Sequence, residues 1–431
     1  MMRRKTQFPG GLAWEAPWPN PLPALRHLQT PATLRIPVLA TGGDIRPSGA
    51  AVRSGEALAT GDAQGPLPLS PANGIVRGVD NVRLLGGGQV PAVRVQTHRD
   101  QSHPGISPRP ARPADLPGWI DLLCRNGVSA SRRECPDLIA QLRAARTRRP
   151  AVLICNLLDD DPRTRLAGVL WRRHAVALLR GLMLLAAALS AKQACLVVAD
   201  DWPGRIRQIA QRLAERVGAA VVSVPPTYPQ SHPALLLLTL LQKPIRRRDL
   251  PTEAGAVIAD AAALLAVDGA ARRGRPMLRV PLAIHDTTKG RTHYASAPVG
   301  MRLGEAMEQL GISHTGKGMG TGAMLEQIPA EADDIIGPGA LTVHVADAGS
   351  PVVPAACIRC GWCVQVCPTR VQPAGLLEAA QLEDPELADR HGLRSCIECG
   401  LCDYVCPAHL PLLEAIRELR AARHELPARA L

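Results

Sequence analysis

Aromatic side chains are nearly missing from this chain of 431 residues. Tryptophan, tyrosine and phenylalanine make up 2% of it, and Phe8 is its single phenylalanine. Hydrophobic residues still reach 46%, so a core is possible, but it has to be aliphatic, built from leucine, valine, alanine and isoleucine. The same scarcity removes the stacking platforms that binders of single-stranded nucleic acid use. No nucleic-acid motif accompanies the net charge of +12, so nucleic acid is not an expected partner. Long hydrophobic runs are missing as well. The longest, AVALLRGLMLLAAALSA at 175–191, contains Arg180 and falls short of the roughly 20 residues a span requires. ALLLLTLLQ at 234–242 is shorter still. Both predict buried or amphipathic helices and no transmembrane span. The opening MMRRKTQFPGG is basic with no apolar run behind it, which reads as no secretory signal.

What the chain does have is cysteine in an ordered arrangement. Eight of its twelve cysteines fall in two copies of one phrase, CIRCGWCVQVCP from 357 and CIECGLCDYVCP from 396. Cys357, Cys360, Cys363 and Cys367 follow C-x2-C-x2-C-x3-C and precede Pro368; Cys396, Cys399, Cys402 and Cys406 repeat the spacing before Pro407. Three thiolates at two-residue gaps wrap one iron–sulfur cube, and the fourth cysteine of such a run ligates the other cube. The expected sets are therefore crossed: Cys357, Cys360, Cys363 and Cys406 for one [4Fe–4S] cluster, and Cys396, Cys399, Cys402 and Cys367 for the second. Gly361 and Gly400 suit tight turns around a cube. Zinc sites use four ligands as two C-x2-C pairs, often with histidine, and disulfides suit secreted chains; neither matches this doubled pattern. Arg359, Glu398 and Asp403 inside the ligand loops read as solvent-facing, with tuning of a cluster's potential or docking of a partner as the alternative. The remaining cysteines, Cys124, Cys135, Cys155 and Cys195, read as buried thiols.

Charge is uneven along the chain. Residues 354–431 hold eight arginines and ten acids, a balance of −2, which leaves +14 for the rest. Basic runs there, RTRRP at 146–150 and KPIRRRDL at 243–250, read as solvated faces or as surfaces for anionic lipid or an acidic partner.

Strand and helix patterns divide the chain. After an N-terminal segment, 1–29, residues 30–98 read as short strands between glycine and proline turns and resemble a lipoyl-type barrel-sandwich. The absence of lysine between Lys5 and Lys192 excludes a covalently loaded carrier. Residues 99–116 read as a proline-rich linker. Residues 117–275 alternate AVLICNL, ACLVVAD and AAVVSVP with amphipathic helices such as GRIRQIAQRLAERVG, the pattern of a parallel sheet covered by helices. Residues 276–345 read as a small α+β unit, with strands MLRVPLAI and TVHVAD and a helix in RLGEAMEQLGI. Gly311, Gly316 and Lys317 imitate a phosphate loop, but Gly318 stands where the hydroxyl belongs, so GISHTGKGMGTGAM reads as a flexible loop. Residues 346–431 carry the cysteine phrases and a closing helix, LPLLEAIRELRAARHEL. The fold class expected is thus multidomain α/β.

The order of these parts resembles the C subunit of the Rnf (Rsx) ion-translocating electron-transport complex, a relative of the NADH- and flavin-binding subunits of respiratory complex I. The doubled cysteine phrase carries the resemblance most specifically, with FPGGL at 8–12, PANGIV at 71–76, TYPQ at 227–230 and VGMRLGEAMEQLG at 299–311 in support. It implies that 276–345 is a β-grasp unit and that 117–275 is an NADH- and flavin-type domain. It also implies a protein peripheral to the cell inner membrane, on its cytoplasmic side. Such a protein relays electrons between NADH and a ferredoxin-like carrier through FMN and two [4Fe–4S] clusters, in company with the other members of the complex. Two stretches depart from the family's pattern. NGVSASRRECPDL at 126–138 keeps only Gly127 of a glycine-rich loop, and CNLLDDDP at 155–162 has Asp159, Asp160 and Asp161 where the family has glutamate. The resemblance makes Gly127, Asp159 and Asp160 the cofactor-binding candidates. Two rivals stay open: an iron–sulfur adapter that binds neither FMN nor NADH, and part of a soluble dehydrogenase acting on an organic acid.

Overall fold

The aliphatic runs in the middle of the chain become the strands of a parallel sheet. Val152–Asn156, Gln193–Ala199, Ala220–Val224 and Ala256–Asp260 pair in parallel, in the order 220–224, 193–199, 152–156, 256–260. Their residues are buried almost throughout, as strands covered on both faces must be. The computed structural model describes the chain apart from residues 1, 4–7, 15–17, 19–22, 40–42, 61–64, 99–110, 130–136, 248, 339–341, 348, 350–351 and 423–431. Most of the linker expected at 99–116 lies outside the described residues, and its last residue already opens the helix Leu116–Arg125.

Two local solutions hold this sheet to its helices. The edge strand 256–260 is capped by a side chain: the buried Gln141 amide accepts from Ile258 N–H at 2.8 Å and donates to its carbonyl at 2.9 Å. Gln141 thereby does what a neighbouring strand would do for an open edge. The apolar run at 175–191 lies in the helix Leu166–Ala188, where Arg180 reaches the fully buried Asp268 of the helix Ala261–Arg273 at 3.0 Å. The two helices cross so closely that a Cβ on Gly181 would stand 2.0 Å from the Leu264 carbonyl oxygen. Among the described residues no helix is long and apolar enough to cross a membrane.

A second core is shared between an N-terminal β module, largely within 30–98, and a small α+β unit, largely within 276–345. The module contributes a four-stranded antiparallel sheet ordered 33–37, 89–97, 74–83, 51–52. The α+β unit contributes a mixed sheet ordered 328–329, 317–321, 342–347, 279–286, 291–298, 26–27, with the helix Leu303–Leu310 against it. Leu34, Ile36 and Val93 from the first pack with Leu282, Ile284 and Met301 from the second in one apolar cluster. At the join Arg35 N–H donates to the Gly300 carbonyl at 2.9 Å, and Gly300, at φ +90°, leaves no room for a side chain.

One sequence expectation changes here, and two features are new. The GISHTGKGMGTGAM stretch is only partly a loop: Lys317–Thr321 is a strand paired with 342–347, and Lys317 forms an ion pair with Asp347. Arg291–Pro298 is a strand that the sequence does not announce, because THYASA lacks a run of branched aliphatics. The N-terminal segment is stitched into three sheets: 2–3 extends the parallel sheet, 12–13 pairs with 227–228, and 26–27 joins the mixed sheet.

Candidate iron–sulfur centres and the neighbouring recess

The two cysteine phrases fold as copies of one another, 39 residues apart by number. Arg359 and Glu398 share the left-handed conformation, as do Gly361 and Gly400, and Arg370 and His409. Each phrase runs into a short helix, Trp362–Val366 in the first and Leu401–Tyr404 in the second. The left-handed positions turn the chain back so that cysteines two residues apart face one volume.

Cys367, the last cysteine of the first phrase, lines one recess together with Cys396, Cys399 and Cys402 of the second. The remaining wall is apolar, with Val371, Leu401, Leu413 and Ile416. At the other set, Ala355 N–H donates to the Ala408 carbonyl at 2.9 Å, which lays the approach to Cys357 against the exit from Cys406. Cys357 and Cys360 are near enough to Cys363 to raise its thiol, beyond the larger effect of burial.

The chemistry of the second set fits an iron–sulfur cube. Burial pushes the Cys396 thiol up to about 11 and holds Cys399 and Cys402 well above the ordinary cysteine range, with neighbouring sulfurs adding to the rise. Four thiols in one apolar recess cannot all ionise unless cations sit among them, and iron supplies that charge. Backbone donors already point at sulfur: Glu398 N–H to Cys396 Sγ at 3.4 Å, and Leu410 N–H to Cys406 Sγ at 3.5 Å. Such hydrogen bonds stabilise the thiolate form and tune a bound cluster. The sulfurs line a volume. Among the described residues no three His, Cys, Asp or Glu side chains close on a single metal ion.

The two sets differ in exposure. Residues 352–360 are exposed throughout, Cys357 and Cys360 included, and Val353, Ile358, Trp362 and Tyr404 stand in solvent nearby. In the second set Cys367, Cys396 and Cys402 are buried and Cys399 is partly so, and the residue between its first two cysteines is not solvent-facing as expected. Glu398 is 6% exposed and meets Arg420 at 2.6 Å, Arg247 at 3.2 Å and Arg417 at 3.6 Å. Asp403 is partly buried and accepts from Leu413 N–H at 2.8 Å at the start of the closing helix. Arg359 is exposed, as expected. Arg247 belongs to the basic run read as a solvated face, yet it turns inward. The 39-residue offset could have singled out Glu398, since it puts an acid where the first copy has an arginine.

A second recess lies beside these centres, at the carboxyl ends of the parallel strands. Leu158, Asp159, Pro162, Arg165, Ala199 and the run from Pro225 to Ser231 line it. Tyr228, from this wall, donates its hydroxyl to the Cys399 carbonyl at 2.6 Å, linking the recess to the second cysteine set. Of the three cofactor candidates, Asp159 lines the recess and accepts from Ala167 N–H at 2.9 Å. Asp160 is adjacent in sequence and not part of the wall. Gly127 follows the end of a helix at φ +63° against Leu67 and Leu69 of the N-terminal β module and does not line the recess. Residues 130–136 of the glycine-loop counterpart, Cys135 among them, lie outside the described residues. Cys124, Cys155 and Cys195 are buried, as expected.

The described wall does not fit a flavin phosphate. Pro162, Pro225, Pro226 and Pro229 are four of its twelve residues and offer no backbone N–H, and no glycine lines it. Arg165, its cation, is committed to Asp201 at 2.6 Å and stacks on Trp18, 4.8 Å from the ring centroid. The neighbouring Asp161, absent from the candidate set, is fully buried. It is bound by Arg163 at 2.6 Å and stands 3.5 Å from His344 Nδ1 of the α+β unit. Burial lowers His344 to about 4 despite that carboxylate, so its ring is neutral at pH 7. Tyr294, from the strand 291–298, donates its hydroxyl to the Thr164 carbonyl and ties the loop 157–165 to the mixed sheet.

The Nuo51 FMN-binding domain family matches residues 138–269, and the 4Fe-4S dicluster domain family matches 356–411. The C subunit of the ion-translocating oxidoreductase complex of Pseudomonas aeruginosa is 27% identical over 97% of this chain and 56% of its own length. The C subunit of the proton-translocating ferredoxin:NAD(+) oxidoreductase complex of Clostridium ljungdahlii is 24% identical over 46% of this chain and 44% of its own. The chain thus spans about half the length of these curated relatives. Among solved structures, an NAD+-reducing [NiFe]-hydrogenase in the H2-reduced state aligns with a TM-score of 0.49 and 18% identity, covering 74% of this chain and 65% of that one. By its dicluster segment, its Nuo51-type central region and its curated homologues, the chain is a relative of the C subunits of the Rnf-type ion-translocating oxidoreductases.

Proposed function

We propose that the chain is an electron-relay member of an ion-translocating oxidoreductase complex, holding two [4Fe–4S] clusters in crossed ligand sets. Cys357, Cys360, Cys363 and Cys406 would hold one, and Cys396, Cys399, Cys402 and Cys367 the other. When bound, the clusters supply one-electron carriage. The protein's part is to fix eight thiolates, to bury one set and to leave the other at the surface. The observation that carries the reading is Cys367 in the recess of the second phrase's three cysteines. The curated relatives are named as subunits of such complexes, and by that kinship the partners are other subunits and a ferredoxin-like carrier. Association would be peripheral, at the cytoplasmic face of the inner membrane. The domains would follow the sequence division, 30–98 barrel-like, 117–275 Nuo51-type, 276–345 β-grasp-like and 346–431 dicluster.

A second reading has a specific observation behind it: a relay that binds neither FMN nor NADH. The proline-rich wall and the committed Arg165 favour it. Anaerobic reconstitution with iron and sulfide tests the first reading, which expects about eight irons per chain; four or fewer refutes it. Adding FMN and then NADH to that material separates the two. Retained flavin and bleached cluster absorbance favour the NADH-linked protein, and neither is expected of the plain relay.

A further inference from the structure

The two cysteine sets are copies in backbone and opposites in surroundings. At the matching left-handed position the first loop carries Arg359, exposed, and the second carries Glu398, buried. Reduction adds one negative charge to a centre. Low dielectric and nearby carboxylates oppose that charge, while water and cations favour it. Around the second set three carboxylates gather: Glu398 in the ligand loop, Glu326 close enough to act on Cys399, and Asp403 Oδ1 3.7 Å from Cys402 Sγ. Arg247, Arg417 and Arg420 balance them, but their short contacts are spent on Glu398. Arg420 gives further donors to the Leu393 and Cys396 carbonyls, at 2.8 and 2.6 Å. What distinguishes the second set is then burial without surplus positive charge. The first set has solvent and the exposed Arg359 beside it.

Resting on the two-cluster reading above, we infer that the buried Glu398–arginine knot and its apolar recess hold the second centre at a lower reduction potential than the first. An electron shared between the two therefore settles on the first, solvent-facing set. In that transfer the second centre is oxidised and the first reduced, with no proton moved and no bond made or broken. The knot also takes Arg247 from outside the dicluster segment, so the potential depends on how that segment docks on the parallel-sheet domain.

The test is a potentiometric titration of the reconstituted full chain with dithionite, followed by electron paramagnetic resonance. Two signals with separate midpoints are expected. Cys360→Ser, in the first set, should alter or remove only the signal with the higher midpoint. Glu398→Gln should ease reduction of the lower one at least tenfold, a rise of about 59 mV for one electron. Arg247→Gln should shift the same midpoint downward, and it keeps the test open if Glu398→Gln fails to load. Arg359→Gln, exposed, should move neither by as much. Coincident midpoints, or a Glu398→Gln shift in the upper signal, overturn the inference and leave the two-cluster reading standing. Fewer than two signals in the unaltered chain refute that reading itself.

Discussion

Gly361 and Gly400 occupy equivalent places in the two ligand loops and offer an internal control. Both are left-handed, at φ +78° and +75°. Alanine at either position carries the left-handed penalty of about 1–2 kcal/mol. Beyond that the sites differ. A Cβ on Gly361 meets nothing within 4 Å, whereas one on Gly400 stands 2.2 Å from the Leu325 carbonyl oxygen, in backbone that cannot rotate away. Relieving that overlap requires the second ligand loop or the 322–327 turn to move, at about 1–3 kcal/mol more. Gly361→Ala should therefore cost about 1–2 kcal/mol, and Gly400→Ala about 2–5 kcal/mol. The difference should appear in the clusters. Gly361→Ala is expected to keep close to the full iron content after reconstitution, while Gly400→Ala loses the second centre first. Iron analysis with electron paramagnetic resonance measures this, and limited proteolysis reports whether the dicluster segment has loosened. Equal losses from the two variants would refute the argument, because the packing of the second loop would then contribute nothing beyond backbone strain.

Other consequences follow from the same geometry. Cys367→Ser should abolish the signal of the second set and Cys406→Ser that of the first, as resonance spectra of the reconstituted variants would show; loss in the uncrossed order contradicts the pairing. His344 has a folded pKa of about 4 against 6.5 in the unfolded chain, so the unfolded state binds more protons between those values. Its contribution to stability is whole above pH 6.5 and shrinks as pH falls toward 4, by about 3 kcal/mol at most. His344→Gln should flatten the acid side of the denaturation profile over that window, and an unchanged slope argues against a buried neutral ring. Arg180→Ala removes the nearest partner of the fully buried Asp268, while Arg272 and Arg273 remain at 4.0 and 3.9 Å. With those two left, a cost of about 1–3 kcal/mol is expected, below the roughly 3–5 kcal/mol of a fully orphaned charge. Arg180→Ala with Asp268→Asn should recover part of it in urea unfolding.

How much of this is legible in the sequence depends on the range of the interactions involved. The cysteine sets are legible because iron–sulfur ligation fixes spacing within eleven residues, and the parallel strands are legible because burial on both faces writes an unbroken aliphatic run. Arg180 inside an apolar stretch marks a helix that packs within the protein, where Asp268 meets it. What stays hidden is pairing across long separations. Nothing near Glu398 announces that Arg247, 151 positions earlier by number, turns in to meet it. Local reading sends an acid in a polar loop, and an arginine in KPIRRRDL, to solvent, which is where such residues are found unless paired. Asp161 and His344 are separated by three strands of the parallel sheet and most of the mixed sheet, and each alone looks like an ordinary polar residue. The N-terminal segment is illegible for a related reason: strands of two residues carry no periodicity, and they form only against distant partners, the edges of the two large sheets for 2–3 and 26–27 and the short strand 227–228 for 12–13. Gly127 shows the converse error. As the one glycine kept from a phosphate-loop pattern it reads as a cofactor residue, but its positive φ serves to end a helix against Leu67 and Leu69. A turn glycine and a phosphate-cradle glycine are the same letter, and only the atoms opposite the missing Cβ tell them apart.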